Sequence, residues 1–381
     1  MTELRQRPEV TNLELFYDLI FAYAISRITT VLHLVHHEVI PGRYLLEYLI
    51  MFFMFWTIWT YQTVLVNRFF QENVQHSLFM IFDMFVVIIL SQSLNPNFES
   101  THPTFAGSTS VLLFSIALQY WLRARHLHDD KQLAVAKGLA RTLLISGIIG
   151  ALTIIPWAPY LIRVTVYVGS MIYANVGPAF LKQALTEFPA LFEHLTERYS
   201  LFTLLLFGEA IIAVASMINV HRFNWLVIPF FLTIVALFLG YFAMYQQGID
   251  RHQKTAGITL INIHYAIFVG LDLVTASMDL FLNGELIGWQ FVSLVTLGLW
   301  GFSGGVLVVL ATYPKHGLQI SLGKALSLLT VGLVLLGGVL MLIKAHVAVT
   351  MVLLAVVTLC AGGITWQFLH HGFEQHIEDN V

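Results

Sequence analysis

Leu13-Glu14-Leu15-Phe16-Tyr17-Asp18-Leu19-Ile20-Phe21-Ala22-Tyr23-Ala24-Ile25-Ser26-Arg27 reads as the start of a membrane-crossing helix, yet it carries two carboxylates and an arginine. A charge at the centre of a bilayer costs about 3 kcal/mol on insertion scales, so such residues persist where they are paired or where they bind something. The rest of the chain has the same apolar character. Of its 381 residues, 57% are hydrophobic and 11% charged, against about 25% charged in an ordinary soluble domain. No single water-soluble core of this length can hide so much apolar surface, so an integral membrane protein is expected. The polar stretch 1–12 lacks an apolar core and a small-residue cleavage site, and the first helix is therefore expected to be retained. A net charge of −3 offers no basic surface for nucleic acid, and the single cysteine, Cys360, excludes an internal disulfide.

Crossing the hydrocarbon layer takes roughly 17–25 apolar residues. Twelve such runs lie near 13–36, 44–67, 77–95, 105–125, 138–156, 159–179, 200–219, 225–247, 257–280, 288–312, 321–343 and 346–370. Turn residues separate them at Pro41-Gly42, Asn95-Pro96-Asn97, Pro156-Trp157-Ala158-Pro159, Asn283-Gly284 and Tyr313-Pro314. The expected fold is an all-α polytopic bundle of about twelve spans. Its expected division is a first six-helix half at 1–180, an amphipathic connector at 181–199 and a second half at 200–381. With the N-terminus inside, the inner segments hold Arg5, Arg7, Arg68, Arg123, Arg125, Lys131, Lys137, Lys182, Arg198, Arg251, Lys254, Lys315 and Lys324. The outer segments hold only Arg43, Arg163, Arg222 and Lys344, while Arg27 and Arg141 fall within spans. That bias predicts that both termini are cytoplasmic.

The first and seventh spans resemble each other. Leu15-Phe16, Leu19, Phe21 and Ala24-Ile25 return at constant offset as Leu201-Phe202, Leu205, Phe207 and Ala210-Ile211. Tyr61-Gln62 echoes Tyr245-Gln246, and His76…Asp83 echoes His264…Asp272. Either the halves are a parallel repeat about an axis along the membrane normal, or common membrane residues coincide.

The segment Val10-Thr11-Asn12-Leu13-Glu14-Leu15-Phe16-Tyr17-Asp18-Leu19-Ile20-Phe21 closely resembles the opening signature of the low-temperature-requirement-A (LtrA) family of bacterial membrane proteins. Trp56 through Trp59 to Asn67-Arg68 is similar to the family's tryptophan-rich second helix. Glu197-Arg198-Tyr199-Ser200-Leu201-Phe202 through Gly208-Glu209-Ala210 resembles its Glu-Arg-aromatic…Gly-Glu helix. Tyr241-Phe242 and His264-Tyr265 resemble its eighth and ninth helices. Two positions depart from the family pattern: Asp83 stands where a neutral residue is expected, and Ser200 replaces a usual glycine. The resemblance implies a polytopic inner-membrane fold, with no settled reaction or substrate.

Glu14 and Asp18, four residues apart, share one helical face. Glu14 is read as an acid at a helix N-terminus or as a proton or cation ligand, and Asp18 as a ligand or a paired charge. Arg27 lies about half a turn round the helix from Asp18 and needs a partner on another span, with Glu209 the first place to look. Glu209, amid apolar neighbours, is the sharpest candidate for a group that loads and releases protons. Asp272 joins it, with Asp279 an outer-end residue. Asp83 either extends this polar track or is bonded locally, and His264 is a neutral bonded histidine or a proton relay. Glu197 and Arg198 mark the start of the seventh span as a possible gate pair.

His33, His36, His37 and Glu38 gather at the end of the first span, but no metal site is expected there, and no cofactor motif is present. Trp56 and Trp59 suit an interfacial aromatic belt or a cavity lining. Gly301 and Gly305 suit close helix packing. The leading expectation is a transporter-like, proton-coupled permease using buried carboxylates, with membrane lipids and an unidentified small solute or ion as partners. An intramembrane enzyme acting on lipid or isoprenoid is the alternative, as is a structural or sensory protein held by an ion-pair network.

Overall fold

The computed structural model describes residues 9–69, 73–93, 98–218, 223–315, 317–344 and 346–378. Of the residues singled out above, Arg5, Arg7, Asn95-Pro96-Asn97 and Arg222 lie outside the described residues. Among the described residues, thirteen α-helices follow one another: α1 (Asn12–Thr29), α2 (Gly42–Phe69), α3 (Val74–Gln92), α4 (Phe98–Ala124), α5 (Asp130–Leu152), α6 (Tyr160–Val176), α7 (Lys182–Glu187), α8 (Phe192–Ser216), α9 (Val227–Ala243), α10 (Ile258–Leu282), α11 (Gly288–Thr312), α12 (Leu322–Leu342) and α13 (Val347–Glu378). Among the described residues, twelve helical stretches are long and apolar enough to cross a membrane; the sixth runs from α6 through a 3₁₀ turn into the short α7. The chain is an all-helical, twelve-span protein.

Local chemistry sets the helix starts. Thr11 and Glu14 form a reciprocal capping box that begins α1. Asn73 and Asp129 cap α3 and α5 by accepting backbone N–H groups. Large apolar side chains such as Leu161, Phe180, Leu328 and Leu342 stand exposed, and α12 buries only Leu336 and Leu340. A surface of that kind suits hydrocarbon rather than water.

The described chain forms two compact units. One holds residues up to Val31, Arg43–Arg198 and Gln253–Gly257; the other holds Leu32–Gly42, Tyr199–His252 and residues from Ile258 onward. In the first, α3 packs against α1 and α4, and α5 against α4 and α6. In the second, α11 packs against α10 and α12, and α9 against α13. Each unit thus pairs its third span with its fourth and its fourth with its fifth.

Several expected boundaries move: the fourth and fifth spans begin at Phe98 and Asp130 rather than 105 and 138, and the sixth runs on to Glu187. The seventh span begins at Phe192 rather than 200, and the stretch before it is the short helix α7 and a few linking residues. Glu193, Glu197 and Arg198 depress hydropathy locally, but Arg198 finds its acceptors on α1 and the helix continues through all three. Arg198 is therefore inside the helix and fully buried, not at its mouth.

Helices α10 and α11 meet backbone to backbone. A Cβ on Gly270 would stand 2.5 Å from the Phe302 nitrogen, and one on Gly298 would stand 2.7 Å from the Gly270 carbonyl oxygen. Gly301 also faces this seam, 3.1 Å from the Ala266 carbonyl oxygen, and Gly305 meets Ile267. The glycines let two helices approach where lipid supplies no hydrophobic drive for association. Gly270→Ala should lower the stability of the purified protein by about 1–3 kcal/mol through overpacking. Gly169→Ala, where nothing lies within contact, should be neutral or stabilising by up to about 1 kcal/mol from helix propensity. Thermal unfolding in detergent compares the two; equal melting temperatures would contradict the close packing.

Candidate functional site

Asp18 lies six residues into α1 and Arg198 six residues into α8, each about 9 Å along its helix from the first residue. Both side chains are completely buried, and Glu14 is 1% exposed. Arg198 Nη2 donates to Asp18 Oδ1 at 2.9 Å and its Nε to Asp18 Oδ2 at 3.3 Å, a two-pronged contact. The remaining prong, Nη1, donates to Glu14 Oε2 at 3.1 Å. Only a planar guanidinium can serve two carboxylates in this way. The indole of Trp59 on α2 donates to Asp18 Oδ1 at 2.6 Å. The rings of Tyr17 and Trp59 lie 6.0 and 5.7 Å from the guanidinium carbon, close enough for weak cation–π attraction.

A second layer positions this cluster. Glu14 Oε1 accepts from the Thr11 backbone and hydroxyl, so the same side chain caps α1 and holds Arg198. His194 Nε2 is 3.3 Å from Glu14 Oε2, near but off the line of a good hydrogen bond. Asn67 Nδ2 donates to the Leu191 carbonyl and faces His194 Nδ1 at 3.2 Å, while Asn67 Oδ1 accepts from the Leu191 N–H. Both amide hydrogens are used in this way, which assigns the imidazole proton to Nε2, toward Glu14. Arg68 donates to the carbonyls of Leu185, Phe188 and Ala256. The Asn67-Arg68 pair thus fastens the segment that leads into α8 and sets where Arg198 enters.

Among the groups in direct contact, two carboxylates face one guanidinium, with the His194 ring beside Glu14. The two carboxylates and the guanidinium by themselves leave one negative charge beyond balance. Burial makes that imbalance expensive, so the site favours an additional positive charge or a proton.

The other expected residues lie elsewhere. Arg27 is exposed and makes no ion pair among the described residues, so it is not the counter-charge of Asp18; Arg198 is. Glu209 is half-buried, seven residues from the end of α8, with no ion pair among the described residues. Asp272 and Glu197 are half-buried on α10 and α8. Asp279 pairs with His33 at 3.1 Å rather than leaving that histidine to its neighbours. His264 faces the Leu260 carbonyl through Nδ1 at 2.7 Å and the Tyr241 hydroxyl through Nε2 at 3.0 Å. Asp83 is fully buried and accepts from Gln119 at 3.0 Å. Among the described residues, no group of three or more His, Cys, Asp or Glu could hold a metal ion. An apolar cavity of about 320 Å³ lies among α9, α11, α12 and α13, lined among the described residues by apolar side chains together with Ser303, Thr358 and Thr365.

Sequence reasoning had Arg198 at a gate and Trp59 in a belt or cavity, and it passed over His194. Trp59 is 1% exposed, and its N–H is spent on Asp18. The available signal was the i, i+4 pair of acids on α1, which calls for a bidentate cation on another helix; Arg198 was the arginine with a polar helical turn before it.

A multi-pass helical membrane protein with a buried charge centre is the class that this fold and geometry define. The chain belongs to the family described as bacterial low temperature requirement A protein (LtrA), which it matches over residues 9–361. Comparison with curated proteins and with solved structures gave no match.

Removing one member of a buried pair leaves a charge stranded, at a cost of about 3–5 kcal/mol. Arg198→Leu should therefore destabilise the protein by that amount, and Arg198→Lys by less. Adding Asp18→Leu to Arg198→Leu should restore part of the loss. A double-mutant cycle on thermal or denaturant unfolding measures the coupling; simple additivity would contradict the pairing.

Proposed function

We propose that this protein is a proton-coupled permease of the bacterial cytoplasmic membrane, with both termini cytoplasmic and Glu14, Asp18 and Arg198 forming its ion-responsive centre. The observation that carries this reading is the fully buried guanidinium set against two buried carboxylates. Their surplus negative charge can be neutralised by one proton, and taking up or losing that proton changes which groups Arg198 holds. A change of partner at the junction of α1, α2 and α8 is the kind of local event that can bias a helix between two arrangements. Glu209, Asp272, Asp83 and His264 are proposed as further groups that take up protons or ions, with Glu197 beside Arg198 as a gate residue. Arg27, at the exposed end of α1, is proposed to contact an anionic solute or headgroup.

One observation also favours a purely structural reading. Both Asp18 oxygens and both Glu14 oxygens are bonded within the protein, as a rigid three-helix clamp would require.

Proteoliposomes containing a pH-sensitive dye separate these readings. Under an imposed pH gradient, with amino acids, organic anions or monovalent cations supplied outside in turn, at least one solute should make the native protein dissipate the gradient faster than empty vesicles. Asp18→Asn should cut that rate by about tenfold or more, equivalent to about 1.4 kcal/mol in the rate-limiting step. Glu209→Gln reports whether the path extends along α8. A folded native chain that never exceeds empty vesicles would leave the clamp as the better account.

A further inference from the structure

Behind the charge centre lies a second polar cluster that the ion pair does not use. Asp83 on α3 and Gln62 on α2 are each completely buried, and Gln119 on α4, itself 5% exposed, joins them. Gln119 Nε2 donates to Asp83 Oδ2 at 3.0 Å, and Gln119 Oε1 accepts from Gln62 Nε2 at 3.4 Å. That arrangement uses one end of each partner. Asp83 Oδ1 and Gln62 Oε1 are buried without a well-formed hydrogen bond, as is the hydroxyl of the fully buried Tyr17, within electrostatic reach of Asp83, and the Ser115 hydroxyl on α4 adds a further oxygen beside the same carboxylate. Asp83 has no cationic side chain against it among the described residues, unlike Asp18 with its arginine. A buried carboxylate without a counter-charge is among the most costly arrangements in a protein interior.

We propose that Asp83, Gln62 and Tyr17 form a binding site for a monovalent cation of sodium size. The donors are all oxygens, which suits a hard cation and not a thiophilic or imidazole-seeking metal. They bring a single negative charge, so one monovalent ion leaves the site neutral, whereas a divalent ion would strand a positive charge. The three ligands come from three helices, α1, α2 and α3, and the bound ion draws them together. Access lies beside it: Gln119 also lines a polar cavity of about 100 Å³ with Asn73, Gln75 and His76. Arg123 lines the same cavity, a charge that opposes cation entry. The Tyr17 ring also faces Arg198, so the ion sits one residue along α1 from the charge centre. The site does not depend on the permease reading, since an ion can bind here whether or not anything is transported.

Thermal unfolding of the purified full-length protein in detergent, at equal concentrations of sodium, potassium and choline chloride, tests the site. Sodium should raise the melting temperature by several degrees above choline, since a ligand that binds only the folded state stabilises it. Asp83→Asn should abolish the sodium-specific rise, and Tyr17→Phe, which removes one ligand oxygen and keeps the ring, should raise the sodium midpoint about tenfold, or about 1.4 kcal/mol. Asp18→Asn should keep the sodium response, which separates this site from the charge centre. Identical melting in the three salts overturns the proposal. So does a sodium rise that survives in Asp83→Asn or disappears in Asp18→Asn, or a stability that follows pH and ignores sodium. Should Asp83→Asn fail to fold, an unaltered sodium midpoint in Tyr17→Phe decides against the site.

Discussion

A guanidinium with no exposed surface cannot be left alone, and that constraint organises one end of the first unit. Arg198 needs acceptors for its planar fork, and Asp18 and Glu14 supply them from a neighbouring helix at the right spacing. Asp18 in turn binds the Trp59 indole, which ties α2 to the pair. Glu14 is also the capping residue of α1, so the helix start and the ion pair are one structural commitment. The placement of α8 then follows from Asn67 and Arg68, which hold the backbone just ahead of it. In the proposed permease, these fasteners make the centre responsive: a change of one charge at Asp18 or Glu14 is felt by three helices together.

The two units solve the packing problem differently. In the first, buried polar side chains join helices: Tyr61 to the Ala174 carbonyl, Tyr120 to the Tyr61 carbonyl, Ser146 to the Ser170 carbonyl. Interhelical hydrogen bonds of this kind each contribute on the order of 0.6 kcal/mol in membrane proteins. In the second, glycine contact between α10 and α11 and stacked aromatic rings such as Phe281 on Phe291 carry more of the association. The charge-bearing and cation-binding chemistry proposed above falls in the unit with the polar interior. A site needs groups that can change partners, and only that unit provides several of them around Asp18 and Asp83.

Much of the fold was legible because hydrophobic length is a local property. Twelve runs of sufficient length give twelve helices, and the breaks at Pro41-Gly42, Pro159 and Asn283-Gly284 fall where helices end or begin. The displaced start of the seventh span is instructive. Glu193, Glu197 and Arg198 look like a polar connector to any hydropathy reading, yet helix α8 runs through them, because Arg198 finds its acceptors on α1. The two acids of the opening segment were also visible as a pair on one face. What they meet was not, for the partner of Glu14 lies 184 residues away in the chain.

From the sequence alone come the membrane class, the number of spans, the family signature and the presence of charges that demand partners. Each is set by composition or by residues adjacent along one helix. Tertiary structure alone decided that Arg198 rather than Arg27 answers Asp18, that Trp59 turns inward to the same carboxylate, and that Asp83 is buried beside Gln119. Those outcomes depend on the depth and rotation of separate helices against one another, which packing determines and no single stretch of sequence contains.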